Sequence, residues 1–469
     1  MDICAGDGAI VETSSLSSPR CTPAEVDRFI ATLRRHALPD GSVVLVGMPN
    51  GVRLLRLFFA LVAAGYVPAM VSPTTPAERL RQMAEDFRAA AIVKPRLGET
   101  LCRELALCDV DAQHGWETGF FSTHTSPVTH AGEVILTTSG TSSEFSSGCV
   151  HGFESLRANA RKHAEDIGLT AADTVLVNLP LYYSFALVAQ AIASIECGAR
   201  LVIGGPPFIA SQYVADLSRH AVTVSSLTPI LLRELVVDRA STLPRGLRAL
   251  TVGGDMLAPE HASAFVTRYP DTALYLTYGI TEAGPRVSTC NAHEVDATRF
   301  ASAGLPMRDT MVRLLDADLL SGGIGELLVH SDTLLKRKIG RNAKSPFIEL
   351  DGRRWLRTGD IFEIDADGYL FFRNRKSDFI VLNDEKINLA AIKQFCRALP
   401  GVLTCKTRTL MGSDALDGYL LDIVVDERMV SPSDADAMRS RILKALKRHE
   451  RPHSLTLTAV NRQQHEFYK

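Results

Sequence analysis

From about residue 40 to residue 280 the chain alternates between two hydrophobic rhythms. Short runs rich in β-branched residues occur at Ser42–Val46, Glu133–Thr137, Thr174–Asn178, Arg200–Ile203, Val222–Leu227, Leu247–Val252 and Ala273–Thr277. β-Branched side chains are stiff at χ1 and suit a pleated surface, so these runs predict strands. The longer segments between them carry apolar residues three and four apart, the spacing of a helix with one buried face. After Phe153, for instance, Leu156, Ala160, Ala164 and Ile167 share a face, and Gly168 is placed to stop the helix. Strand and helix in alternation imply an α/β fold with parallel sheets covered on both faces.

The rhythm changes at Met311. From there to Arg375 short strands follow one another, and IFEIDADGYLFFRNR predicts a hairpin turning at Asp367 and Gly368. Beyond Arg375 lies a smaller unit with a hairpin across Phe379–Asn388 around Asn383–Asp384. Strands at Thr404–Arg408 and Tyr419–Val425 and a helix at Asp434–His449 follow. The expected architecture is a large multi-subdomain body with parallel sheets and a β-rich subdomain over residues 1–375, and a small mobile α+β domain over 376–469. A chain of 469 residues exceeds one hydrophobic core and should hold two or three.

Composition narrows the function. A formal charge of -2, with no run of five or six like charges, gives no electrostatic footprint for nucleic acid. The longest apolar stretch, Leu57–Val71, is about 15 residues, is cut by Gly65 and Pro68, and falls short of the roughly 20 needed to span a bilayer. It reads as a buried helix followed by a strand. The amino terminus lacks an export pattern, which points to the cytoplasm. Nine cysteines without a CxxC pair disfavour both a zinc site and a disulfide framework.

Three segments carry chemistry. TTSGTSSEFSSG, Thr137–Gly148, lies between a strand and a helix, where hydroxyls and exposed N–H groups can cradle a phosphate chain. A flexible surface loop has the same composition. TYGITEAG, Thr277–Gly284, ends a strand with a hydroxyl and a carboxylate side by side, suited to a phosphoryl oxygen and a hard cation; a solvated strand-end turn is the plain alternative. In RTGDIFEIDADGYLFFRNR, Asp360 and Arg375 face each other across the hairpin. One carboxylate can accept from both hydroxyls of a ribose, although a surface ion pair reads the same way.

In this order and at these separations the three segments resemble the acyl-adenylate-forming superfamily, which holds acyl-CoA synthetases, peptide-synthetase adenylation domains and luciferases. The resemblance runs from MPNGVRLLRLFFALVAAGYVPAMVSP, Met48–Pro73, to Arg375 and more weakly beyond. It implies activation of a carboxylic acid by ATP and Mg2+ to an acyl-adenylate, then transfer to coenzyme A or a carrier-protein phosphopantetheine. It places the phosphate loop on Thr138, Ser139, Gly140, Thr141 and Ser142, and the adenine contact on Gly253, Gly254 and Asp255. Tyr278, Gly279, Thr281 and Glu282 match the aromatic–Gly–x–Thr–Glu motif, with Glu282 the magnesium ligand and Thr281 touching the adenylate. Asp360 would hold the ribose with Arg375 as companion, and Ser377 would be the hinge of the mobile domain. NLPLYYSFAL, Asn178–Leu187, looks like the start of the acyl pocket, with Tyr183 and Gly279 lining it.

The chain also departs from that pattern. The loop lacks the usual lysine, Ser147 standing nearest its place, and carries Glu144, an acid among phosphates. At the carboxy terminus Phe467 occupies the position of the family's catalytic lysine and Lys469 is the local substitute, unless it is an ordinary frayed terminal residue. The hairpin that guides a pantetheine arm has lost its glycine and proline at Asp384–Lys393. No aspartate near Asn178–Leu187 stands ready for an α-ammonium group, which favours an aryl or fatty acid over an amino acid. Three readings remain open: a ligase with a thiol acceptor, an adenylate-forming enzyme with an amine acceptor, and a nucleotide-binding regulator that has lost catalysis.

Overall fold

The computed structural model describes residues 10–13, 21–113, 115–122, 127–137, 147–206, 208–237, 242–318, 323–341, 343–376, 379–382, 385–411 and 416–461. The strand-like runs form the middles of two eight-stranded sheets. In one, the strands Arg200–Ile203, Thr174–Val177, Val224–Leu227, Ala249–Val252 and Ala273–Gly279 lie side by side and parallel. In the other, Glu133–Thr137, Val67–Met70, Val43–Val46 and Ala89–Lys94 do the same. The expected parallel strands are present, and antiparallel strands flank them. Each sheet is mixed, because short connections such as the turn from Gly279 to Arg286 return the chain antiparallel, as a hairpin permits and a parallel crossover does not.

Burial follows from the period of two. Val44 and Val46 pack into one apolar cluster, while Val43 and Leu45 point to a second on the opposite face. The first cluster is shared by both sheets and the helices between them, Val52–Ala63, Phe153–Asp166 and the π-helical Phe185–Ile192 among them. Leu156, Ala160, Ala164 and Ile167 are buried in it as their spacing required. A five-stranded antiparallel sheet built from Met311–Asp318 through Leu370–Arg375 has its own cluster around Leu327, Leu356 and Phe362. A further cluster, from Ile380 to Leu455, belongs to the last segment of the chain. Among the described residues there are thus four apolar clusters rather than two or three. The extra one arises because the β-rich part buries a face of its own.

The smaller unit pairs Phe379–Leu382 with Glu385–Asn388, and Val402–Met411 antiparallel with Leu416–Asp426. Its later helix runs from Pro432 to Ala445, shorter than expected. Ser431 caps its start with a reciprocal Asp434 bond, and the chain leaves helical geometry at Leu446. Among the described residues no helix is long and apolar enough to cross a membrane.

Candidate active site

The Ala273–Gly279 strand ends in a turn that its glycine makes possible. A Cβ on Gly279 would lie 2.3 Å from the Pro285 carbonyl oxygen, which accepts a hydrogen bond from the Ile280 amide at 3.0 Å. That close approach folds Thr281–Ala283 into one 3-10 turn before the chain returns as Arg286–Asn291. Tyr278, Thr281 and Glu282 therefore gather at the carboxyl end of parallel strands, where open α/β sheets collect ligands.

Asp360 reaches the same place from the β-rich sheet. The hairpin sets it directly opposite Arg375, whose Nε stands 2.8 Å from Oδ1. The Tyr278 hydroxyl, 82 residues earlier in sequence, donates to Oδ2 at 2.7 Å. The Asp360 side chain is 1% exposed, so this is no surface pair. Burial, reinforced by the Asp360 charge, holds the Tyr278 hydroxyl well above its usual range, and it stays a donor.

Arg375 also acts on Glu282. Burial alone would raise the Glu282 carboxyl, but the Lys338 ammonium at 2.6 Å and, secondarily, Arg375 hold it below its usual value. Glu282 is ionised at neutral pH. Lys338 resists its own burial for the same reason and is held above the ordinary lysine value. It lies in the Arg337–Ile339 strand opposite Cys149, beside the point where the chain re-enters the sheet at Gly148. Cys149 itself is fully buried, as a small filler should be.

Thr281 is fixed from two sides. Its hydroxyl is 3.3 Å from that of Ser184, and its carbonyl accepts from His151 Nε2 at 2.9 Å. His151 is fully buried, and burial pushes its imidazole down to about 4, so the neutral ring donates this bond. On the neighbouring strand end, a Cβ on Gly253 would meet the Thr277 hydroxyl oxygen at 2.4 Å and Arg286 Nη1 at 2.9 Å. The backbone there lies flat against the sheet end, and Gly254 turns it away at φ +90. Asp255 departs from the rest: it is exposed and pairs at 2.9 Å with Arg397 of the smaller unit. Tyr183 is partly buried against Tyr182 just before the π-helix, two residues from Phe185.

Tyr278, Gly279, Thr281, Glu282, Asp360 and Arg375 are thus brought together, with Gly253 on the adjoining strand end. The loop residues Thr138, Ser139, Gly140, Thr141, Ser142 and Glu144 lie outside the described residues. So do the hinge Ser377, the Asn383–Asp384 turn, Phe467 and Lys469. Sequence reasoning missed Lys338, His151, Ser184 and Arg286. Lys338 and His151 sit in unremarkable strands and become neighbours of the motif only through strand pairing. Arg286 carried a signal, a charge opening an otherwise uncharged strand.

Residues 21–337 match the model of the AMP-binding enzyme family. The chain belongs to that family. This AMP-binding enzyme is 29% identical over 437 residues to the sulfoacetate–CoA ligase of Cupriavidus necator, covering 88% of this chain and 83% of that one. It is 24% identical over 439 residues to the 2-succinylbenzoate–CoA ligase of Enterococcus faecalis, covering 91% and 87%. Its fold is that of the O-succinylbenzoate coenzyme A synthetase of Bacillus subtilis solved with AMP, at a TM-score of 0.71 and 18% identity over 96% of this chain and 91% of that one. An anthranilate CoA ligase solved with anthranoyl-AMP matches equally, at 0.71 and 18% over 97% and 91%.

Proposed function

We propose that this AMP-binding enzyme is an AMP-forming acid–thiol ligase. It activates a small carboxylic acid with ATP to an acyl-adenylate, releases pyrophosphate, and passes the acyl group to coenzyme A. A carrier-protein pantetheine is the alternative thiol. The observation that carries the reading is the meeting of Tyr278, Asp360, Arg375 and Glu282, drawn from two separate sheets onto the carboxyl ends of parallel strands. The relatives named for CoA ligation support the thiol acceptor. A cytoplasmic location fits a reaction that consumes ATP and coenzyme A.

The residues suit the ligands. Asp360, buried and ionic, has the acceptor capacity for ribose hydroxyls, with Arg375 as its countercharge. Gly254, exposed and without a side chain, leaves backbone open for adenine, with Gly253 drawn in against Thr277 behind it and Asp255 continuing the surface. Glu282, kept ionised, is a hard oxygen ligand for Mg2+, which supplies positive charge to phosphoryl oxygens when bound. Two anions, the acid and the α-phosphate, have to be brought into line. Thr281, held by Ser184 and His151, presents its hydroxyl to the forming adenylate, and Lys338 adds a cation next to Glu282. The loop Thr138–Ser142 would take the leaving phosphates, Lys469 the attacking carboxylate, and the wall of Tyr183 and Gly279 the acyl chain.

The division into residues 1–375 and 376–469, with a hinge at Ser377, is part of the proposal. The separate apolar cluster of the last segment and its polar contact through Arg397 and Asp255 favour a unit able to rotate. Carboxylate-dependent exchange of labelled pyrophosphate into ATP tests activation. The absence of exchange across aryl, fatty and dicarboxylic acids sinks the reading. Thioester formation with coenzyme A, against amide formation with amines, then decides the acceptor.

A further inference from the structure

Arg286 has no part in the chemistry above, yet it is among the most deeply placed charges in the protein. It opens the Arg286–Asn291 strand opposite Gly279 and is 3% exposed. Its backbone is pinned by Asn159, whose Oδ1 accepts from the Arg286 amide at 3.0 Å and whose Nδ2 donates to the Arg286 carbonyl at 2.9 Å. The guanidinium lies 3.9 Å above the Phe185 ring. Its Nε and Nη2 have no hydrogen-bond partner among the described residues.

Among the described residues no carboxylate acts on it, and burial pushes it down to about 9, still charged at neutral pH. Its buried neighbour His163 is also basic, has neither ring nitrogen bonded among the described residues, and is pushed down by burial and by Arg286. Lys162, buried to a similar degree, is met by Asp332 at 2.5 Å. A buried cation with no countercharge is strongly unfavourable, so this arrangement is complete only when an anion comes from outside. Around it lie Phe185, two residues beyond Tyr183, and Gly253 and Gly279. That is the wall assigned to the acyl pocket.

We propose that the acid activated by this enzyme carries a second anionic group, a carboxylate or sulfonate remote from the reacting carboxyl, and that Arg286 pairs with it. The planar fork of the guanidinium suits such a group bidentately, and Phe185 fixes its plane. The proposal rests on the ligase reading for the location of the pocket, and it names the substrate class.

The test compares dianions with neutral isosteres: sulfoacetate with methylsulfonylacetate, succinate with monomethyl succinate, and 2-succinylbenzoate with its aryl methyl ester. Pyrophosphate release is measured for wild type, Arg286→Met and Arg286→Lys. Binding of each acid is measured in parallel by calorimetry with a non-hydrolysable ATP analogue. The expected preference for at least one dianion over its neutral partner is on the order of 100-fold in kcat/KM. In Arg286→Met the ratio collapses toward one, and Arg286→Lys restores part of it. Dianion binding that depends on Arg286 without any turnover upholds the proposal while the ligase reading falls. Turnover of neutral acids with no dianion preference, or an equal loss for both members of each pair in Arg286→Met, overturns the proposal and leaves the ligase reading intact. If no dianion binds or turns over, the proposal fails.

Discussion

Asp360→Asn is the perturbation that separates a ribose site from a structural ion pair. The Asp360 carboxylate accepts from Tyr278 at 2.7 Å and faces Arg375 Nε at 2.8 Å. Asparagine keeps the shape and one acceptor oxygen, so the Tyr278 bond survives. Arg375 is 47% exposed and can be hydrated, but the buried amide nitrogen then faces Arg375 Nε, donor against donor, so fold stability should drop by about 1–3 kcal/mol. Catalysis loses a separate contribution. A hydrogen bond to a charged acceptor contributes ~1.5–3 kcal/mol and a neutral one about half that, so two ribose hydroxyls together forfeit ~1.5–3 kcal/mol, or about 10- to 150-fold in kcat/KM for ATP. The assay is pyrophosphate release with ATP and with 2′,3′-dideoxy-ATP. Wild type should prefer ATP strongly, and Asp360→Asn should shrink that preference by a factor of that order. A variant that folds, is slow, and still prefers ATP by the wild-type factor refutes the assignment, because the hydroxyls would then be read elsewhere.

Other residues give sharper single measurements. Glu282→Gln should lower magnesium-dependent pyrophosphate exchange on the order of 100-fold and raise the magnesium concentration needed for half-activity, read by titration. Lys338→Met removes the cation that holds the Glu282 carboxyl low, so the acid limb of the pH–rate profile should move to higher pH; an unmoved limb speaks against Glu282 as the titrating group. Gly253→Ala forces a methyl against the Thr277 hydroxyl and should cost ~1–3 kcal/mol in thermal stability while raising the KM for ATP. For His151 the folded imidazole sits near 4 and the unfolded one near 6.5, so the unfolded chain takes up a proton that the fold refuses as pH drops between those values. Stability should fall across that window by about 3 kcal/mol. His151→Gln should flatten the slope in urea denaturation at stepped pH.

Much of the fold was legible because it rests on local rules. The Glu133–Thr137 and Arg200–Ile203 strands begin and end where their apolar runs do, and Gly168 stops its helix with a left-handed φ of +60. Less legible were elements whose patterns fit two structures. Ala89–Lys94 is an alanine-rich run compatible with helix or strand, and only its place beside Val43–Val46 makes it a strand. Phe185–Ile192 is apolar apart from Gln190, which signals a buried helix, and it packs in the cluster shared with the helix Phe153–Asp166, but nothing in its pattern marks the π geometry. The antiparallel edges of both sheets depended on connection length, which is the least certain thing to read from an apolar run.

The site divides along the same line. A motif such as Tyr278–Glu282 is legible because one tight turn must carry several groups at once, and Gly279 records how close that turn comes to Pro285. What a motif does not carry is the countercharge, since this is supplied across strands. Glu282 is balanced by Lys338 and Arg375, from two other strands, and Asp360 by Arg375 across a hairpin. The four charges form an alternating row, Asp360, Arg375, Glu282, Lys338, already neutral as a set. A nucleotide entering beside this row brings negative charge that the row does not offset, and the magnesium proposed at Glu282 would supply the missing positive charge. Arg286 stands outside the row with no acid of its own among the described residues. The same accounting that explains magnesium at one end of the pocket therefore calls for an anion at the other.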